Sequence, residues 1–334
     1  MSNVEAAPQE LLCPSEPGTL EVLSPRLVPL GGPRAMTVRR TLPQRRRSLI
    51  GAWCFVDHYG PDDVSSTGGM AVPPHPHTGL QTVSWLFSGE IEHTDSAGYH
   101  ATVRPGELNL MTAGRGISHS EYSTSATTVL HGVQLWVALP EDARFMDPTF
   151  EHFRPTQVYG PGSQLSVFLG TLAGSSSPVR THSPLLGAEI VLDAGASLTV
   201  EVDPGFEHGF LVDAGSVTVA SQELAYGELG YVGPGSESLT LVAGNEPVRL
   251  LLIGGTPLGE SILMWWNFVG RSHEEIVAFR AAWQAEIGAA AGQPPLPADT
   301  EPATRFGLPA HQADSPLPAP TLPTVRLRPR VNPS

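Results

Sequence analysis

Lysine is missing altogether: all 19 basic residues are arginine, against 33 acidic ones, and the net charge is −14. That balance excludes a general affinity for nucleic acid, because phosphate binding needs a basic surface. With abundant alanine, glycine and proline, arginine-only usage reads as a coding bias more than as a binding device. There are only two cysteines, Cys13 and Cys54, too few for a disulfide framework, and both read as reduced thiols. No stretch reaches the ~18 uninterrupted apolar residues of a membrane span. The opening MSNVEAAPQE lacks a basic region followed by an apolar core, so no secretory signal is expected. These absences together predict a cytoplasmic protein with neither a membrane nor nucleic acid as direct partner.

What is plentiful is turn chemistry. The 334 residues include 35 glycines and 33 prolines, and the length suits two domains of ordinary size. Short apolar runs such as 82–87 (TVSWLF), 107–111 (ELNLM) and 133–137 (VQLWV) are bounded by Gly, Pro, Asp and Asn, which is the grammar of strands. The same grammar continues from Leu165 to Gly254. The halves also echo one another: 86–91 (LFSGEI) then 104–108 (RPGEL), against 212–217 (VDAGSV) then 225–229 (AYGEL). Two similar copies of an antiparallel unit predict an all-β fold, a duplicated barrel that hides its own edges.

Residues 1–25 read as a disordered leader, 26–156 as an N-terminal barrel domain, 157–288 as a C-terminal one and 289–334 as a Pro-rich extended tail. That tail holds eleven prolines, and its portion from Leu317 to Arg330 is placed to drape over a domain. The arginine cluster from Arg34 to Arg47 reads as a solvated loop. One helix is expected over 272–287. Ser272 and Glu275 have capping-box spacing, and Ile276, Val277, Phe279, Ala282 and Trp283 recur on one face.

The chemistry concentrates at Pro74-His75-Pro76-His77. On an extended segment residues i and i+2 point the same way, so His75 and His77 converge while Pro76 faces away. Pro76 lacks an N–H, which places the segment at a strand start or an edge. A second such pair follows, His119 and Glu121. If the two segments are neighbouring strands, three imidazoles and a carboxylate point into one barrel. This donor set suits a single divalent metal such as Fe, Mn, Ni, Cu or Zn. Ligands from only two strands leave positions open for substrate, as in catalytic sites. His93, His100, His131 and His152 read as surface or core residues, with His93 the best placed to line the same cavity.

The runs 75–83 (HPHTGLQTV), 111–121 (MTAGRGISHSE) and 132–137 (GVQLWV), with His93-x-Asp95-Ser96-x-Gly98, resemble the pirin family signature. The resemblance spans roughly residues 25–288. It implies two tandem cupin (jelly-roll-like) β-barrels with a short C-terminal helix. It further implies Fe(II) held in the N-terminal barrel by three His and one Glu, matching His75, His77, His119 and Glu121. Quercetin 2,3-dioxygenase-type activity on a small aromatic hydroxy-ketone is one implied function. The alternative is a non-enzymatic, redox-sensing regulator that binds a protein partner such as a transcription factor or metabolic enzyme. A departure occurs at Gln81, where many pirins carry glutamate. An amide can still orient a ligand but is a poorer general base, so Gln81 is a candidate for a supporting role only. In the second half, Phe206-Glu207-His208 has no i+2 histidine and 234–241 has no histidine at all. A metal-free C-terminal barrel is therefore expected, with His208 structural.

Overall fold

The computed structural model describes residues 19–30, 36–288, 304–310, 314–329 and 332. Cys13 and most of the expected leader lie outside these residues. The fold is two β-barrels in tandem, each made from a seven-stranded and a four-stranded antiparallel sheet. In the first barrel the large sheet runs Thr149–Phe153, Leu108–Thr112, Leu80–Ser88, Val129–Ala138, Trp53–Asp63, Thr37–Leu42, Arg26–Pro29. Its small sheet runs Ala71–His77, Ile117–Ser123, Ile91–Asp95, His100–Val103. The second barrel repeats the plan, with Glu207–Ala214 between Leu229–Val232 and Val248–Gly255 in its large sheet.

The echo in the sequence corresponds to matched turns. Leu80–Ser88 leads into Ile91–Asp95 through Gly89, and Glu207–Ala214 leads into Val217–Val219 through Gly215. Both glycines have positive φ, 82° and 71°. A Cβ at either would meet a backbone carbonyl oxygen, 2.6 Å from that of Val129 and 2.5 Å from that of Pro247. Glycine is required twice at equivalent places for the same two reasons.

The period of two along each strand sorts side chains between barrel interior and barrel interface. Val83, Trp85, Val133 and Leu135 join Leu211, Leu251 and Ile253 in one shared core between the barrels, where Trp85 stacks on Phe168 at 4.6 Å. The alternate residues Ser84 and Gln134 face inward and hydrogen-bond to each other. A polar clasp also crosses the interface. His58 and His131 Nε2 lie 2.7 and 2.6 Å from Asp213 Oδ1, while Arg249 holds Oδ2.

Several expectations need correction. Residues 20–23, assigned to a disordered leader, form a strand antiparallel to Leu229–Val232. The leader reading saw a polar context and missed two apolar residues, Leu20 and Leu23, that the second barrel buries. The arginine cluster is only in part a solvated loop: Arg45 and Arg46 are exposed between strands, but Thr37–Leu42 is a strand and Arg47 is buried over the Tyr231 ring, 3.4 Å from its centroid, while Arg34 lies outside the described residues. Arg47 also bonds Glu21 at 3.0 Å, so charge pairing and cation–π contact hold it inward. The helix His273–Glu286 forms with Ser272 Oγ accepting from Glu275 N–H. The reciprocal half of the box is displaced, because Glu275 Oε2 accepts from Arg271 N–H and from Arg144 instead.

The described part of the tail drapes over this helix. Phe306 and Ala319 are buried in the helix's core cluster, Trp283 Nε1 donates to the Leu317 carbonyl, and Leu317 N–H donates to the Pro74 carbonyl. No helix among the described residues is long and apolar enough to cross a membrane.

Candidate metal centre

The two i, i+2 segments are adjacent strands. Ala71–His77 is the edge strand of the small sheet, paired antiparallel with Ile117–Ser123. His75 sits directly opposite His119 in this register, and a bulge between His119 and Glu121 sets Glu121 opposite Val72. An edge is where two prolines are tolerated, so the Pro-His-Pro-His run fits this strand and no interior one. On its other side Ile117–Ser123 pairs with Ile91–Asp95, placing His93 opposite Glu121 and Asp95 opposite His119.

His75, His77 and His119 bring ring nitrogens within 4.8 Å of one another, and so do His93, His119 and Glu121 with their donor atoms. His77 and His119 approach through Nε2 at 3.1 Å. All four predicted residues line one cavity of about 410 Å³. Burial lowers the pKa of all three imidazoles, His75 to about 4, with further lowering of His77 and His119 by neighbouring histidines. At neutral pH these rings are therefore neutral and offer lone pairs. Burial raises the Glu121 pKa, opposed by His93 and the Ser84 hydroxyl, and no described arginine forms an ion pair with it. Three neutral imidazoles and a desolvated carboxylate lacking a cation fit a divalent transition metal.

The support behind these groups was not read from the sequence. His75 Nδ1–H donates to the Pro73 carbonyl at 2.9 Å, which turns Nε2 toward the cavity. His119 Nδ1 lies 3.2 Å from His93 Nδ1, and His93 Nε2 lies 3.2 Å from Asp95 Oδ2. Asp95 Oδ1 in turn accepts from the Ala97 and Tyr99 amides. The consistent proton assignment has His119 donating to His93 and His93 donating to Asp95, a relay that fixes the His119 tautomer. His93 thus stands behind His119 and does not line the cavity, contrary to expectation. The signal was available in the His93-x-Asp95 spacing, which puts both side chains on one strand face.

Gln81 does not support the cluster directly. Its Nε2 donates to Thr112 Oγ1 at 2.9 Å, and it makes no hydrogen bond to the three histidines or Glu121. The turn at Thr78-Gly79 carries the chain into the large sheet, where Gln81 faces Thr112 in register. His100 and His152 pair with Glu92 and Glu107 near the surface, whereas His131 belongs to the buried clasp with Asp213. His208, on the second barrel, is buried and has neither ring nitrogen bonded; burial lowers its pKa to about 4.

Aromatic and apolar groups complete the cavity. Trp136 meets His77 edge-on at 5.1 Å and stacks on Phe55 at 4.1 Å, with Met264, Trp266 and Leu317 also lining the space. Leu317 comes from the tail, so the tail contributes to the cavity wall.

Two barrels of this topology, with a cluster of histidines and a glutamate inside the first, define a bicupin. Residues 35–137 match the profile of Pirin, and residues 187–287 match that of the Pirin C-terminal cupin domain. The chain belongs to the pirin family. It is 43% identical over 266 residues to a Pseudomonas aeruginosa protein named as a candidate quercetin 2,3-dioxygenase, covering 79% of this chain and 84% of that one. Human Pirin is 31% identical over 239 residues, covering 65% of this chain and 81% of the human protein. Among solved structures, a quercetin 2,3-dioxygenase from Acinetobacter baumannii superposes with a TM-score of 0.82 at 35% identity, covering 92% and 97% of the two chains.

Proposed function

We propose that the chain is a mononuclear metal oxygenase that cleaves a flavonol-like aromatic hydroxy-ketone, with His75, His77, His119 and Glu121 as ligands and iron(II) as the working ion. The convergence of three neutral imidazoles and one cation-free buried carboxylate on a single cavity carries this reading. The names of the Pseudomonas and Acinetobacter relatives support the substrate class. When bound, the ion supplies Lewis acidity toward the hydroxy-ketone and redox reactivity toward dioxygen. The protein supplies the rest. His93 and Asp95 hold the His119 tautomer, the stacked rings of Trp136 and Phe55 give the cavity an apolar lining for an aromatic ligand, and Glu121 supplies the one negative charge among the four donors. We place the protein in the cytoplasm.

A second reading, an iron-containing regulatory protein with a protein partner, is supported by one observation. Among the described residues, and apart from the four ligand candidates, Arg40 is the one ionisable side chain lining the cavity, so none of these residues stands ready as a separate general base for a substrate proton.

The deciding experiment is metal analysis of the purified chain beside His119→Ala, followed by oxygen uptake with quercetin. About one iron per chain, lost in the variant, with quercetin-dependent uptake supports the oxygenase. Iron without uptake moves the function to the regulatory reading, and a chain that binds no metal defeats both.

A further inference from the structure

We propose that the mouth of this cavity is a subsite for an acidic group, a carboxylate or ionised phenol, carried by an aromatic ligand, and that Arg40 recognises it. The orientation of such a ligand rests on the preceding reading, in which the His77 end of the cavity holds the metal.

Arg40 and Asp57 are register partners on the neighbouring strands Thr37–Leu42 and Trp53–Asp63. Arg40 Nε and Nη2 donate to the two carboxylate oxygens of Asp57, each at 2.7 Å. The Asp57 side chain is 0% exposed while that of Arg40 is 24% exposed, so the carboxylate is the buried anchor and the guanidinium the accessible end. Phe55 lies two residues before Asp57 and shares its strand face. The Arg40 guanidinium lies over the Phe55 ring, 4.3 Å from the centroid. Anchor and platform together fix a planar fork that would otherwise cost side-chain entropy to order.

A guanidinium has five N–H donors, and Asp57 takes two of them. No described residue takes Nη1 as a hydrogen-bond donor, although Arg40 lines the cavity. If the pair served only to join two strands, neither cavity exposure nor an unused fork edge would be needed. Asp57 offsets part of the positive charge, so selectivity must come from directed N–H donors more than from long-range attraction.

The aromatic groups connect this fork to the proposed ligands without a break. Arg40 lies over Phe55, Phe55 stacks on Trp136 with planes 13° apart, and Trp136 meets His77 edge-on. An aromatic ligand running alongside this stack would chelate at the His77 end and present its far end to Arg40. An acidic substituent there gains directed hydrogen bonds, whereas a neutral one leaves the fork unpaired.

The test uses the metal-loaded full chain and two probes, 3-hydroxyflavone and its 4′-carboxylate. Quenching of tryptophan fluorescence reports cavity occupancy, since Trp136 and Trp266 line it, and flavonol absorption reports chelation. We expect the carboxylate probe to bind about tenfold more tightly, about 1.4 kcal/mol. Arg40→Gln should remove that advantage without changing metal content or binding of the neutral probe. Because Arg40→Gln strands a buried carboxylate, the double variant Arg40→Gln/Asp57→Asn is measured beside it, and the same loss is expected. Equal binding of both probes to the unaltered chain, or an equal loss for both in the variants, would overturn the subsite. A preference for the carboxylate seen by fluorescence without any chelation signal would sustain the subsite and count against the metal reading, so the two failures are distinguishable.

Discussion

The two barrels share one plan and fill it differently. The second interior is packed with Ile190, Phe210, Val212, Leu241, Leu250 and Leu252, all buried in one apolar cluster. In the first, strands of the same kind turn Gln134, Trp136 and the histidines toward a cavity that the apolar clusters border from two sides. Duplication therefore separates two jobs that compete within a single barrel. A dense apolar core supplies stability, whereas buried imidazoles and a carboxylate cost free energy unless a partner offsets their desolvation. The shared core around Trp85 and Phe168 couples the stable half to the costly one.

The sharpest way to break this comparison is the loss of His119, already described, for which metal affinity should fall by well over about 100-fold under the proposed ligand set, since a direct ligand matters more than its supports. The next effect belongs to the other barrel. Phe210→Ala should cost about 3–5 kcal/mol in chemical unfolding through the cavity it leaves, with metal content unchanged in the folded fraction. A variant that unfolds normally yet loses metal would contradict the division of labour.

The clasp between barrels ranks third. Its two histidines, with Arg249, hold the Asp213 carboxyl well below the usual aspartate range despite the opposing effect of burial. A depressed folded-state pKa stabilises above the unfolded value of about 4 and is lost as pH falls toward and through the folded one. Asp213→Asn should destabilise the chain at pH 7 by about 3 kcal/mol and flatten the acid limb of its stability profile. An unchanged acid limb would remove Asp213 from this role. The smallest effect is expected at His93→Ala, which should weaken metal binding about 10- to 100-fold through loss of the His119 relay. Competition with a chromophoric chelator measures it, and unaltered affinity would show the relay to be dispensable.

Reading from residues went far where the signal was local. Alternation, matched glycine turns and the capping serine are written within a few positions of one another, and so are the i, i+2 pairs His75/His77 and His119/Glu121. Arg47 misled because local composition cannot show that Tyr231, nearly two hundred positions away, provides a face for it. Leu20–Leu23 misled likewise, its partner strand lying at Leu229–Val232. His58 carried no signal at all, since its partners His131 and Asp213 are distant and Asp213 belongs to the other barrel.

What the sequence determined alone was therefore the all-β grammar, the duplication and the pairing of His75 with His77 and of His119 with Glu121 on shared strand faces, because strand periodicity fixes which side chains point the same way. The tertiary structure decided that His75 faces His119, that His93 and Asp95 stand behind it, and that Arg40 and Leu317 join the same cavity. Those choices depend on register and on contacts between segments far apart in the chain, where no local spacing rule acts.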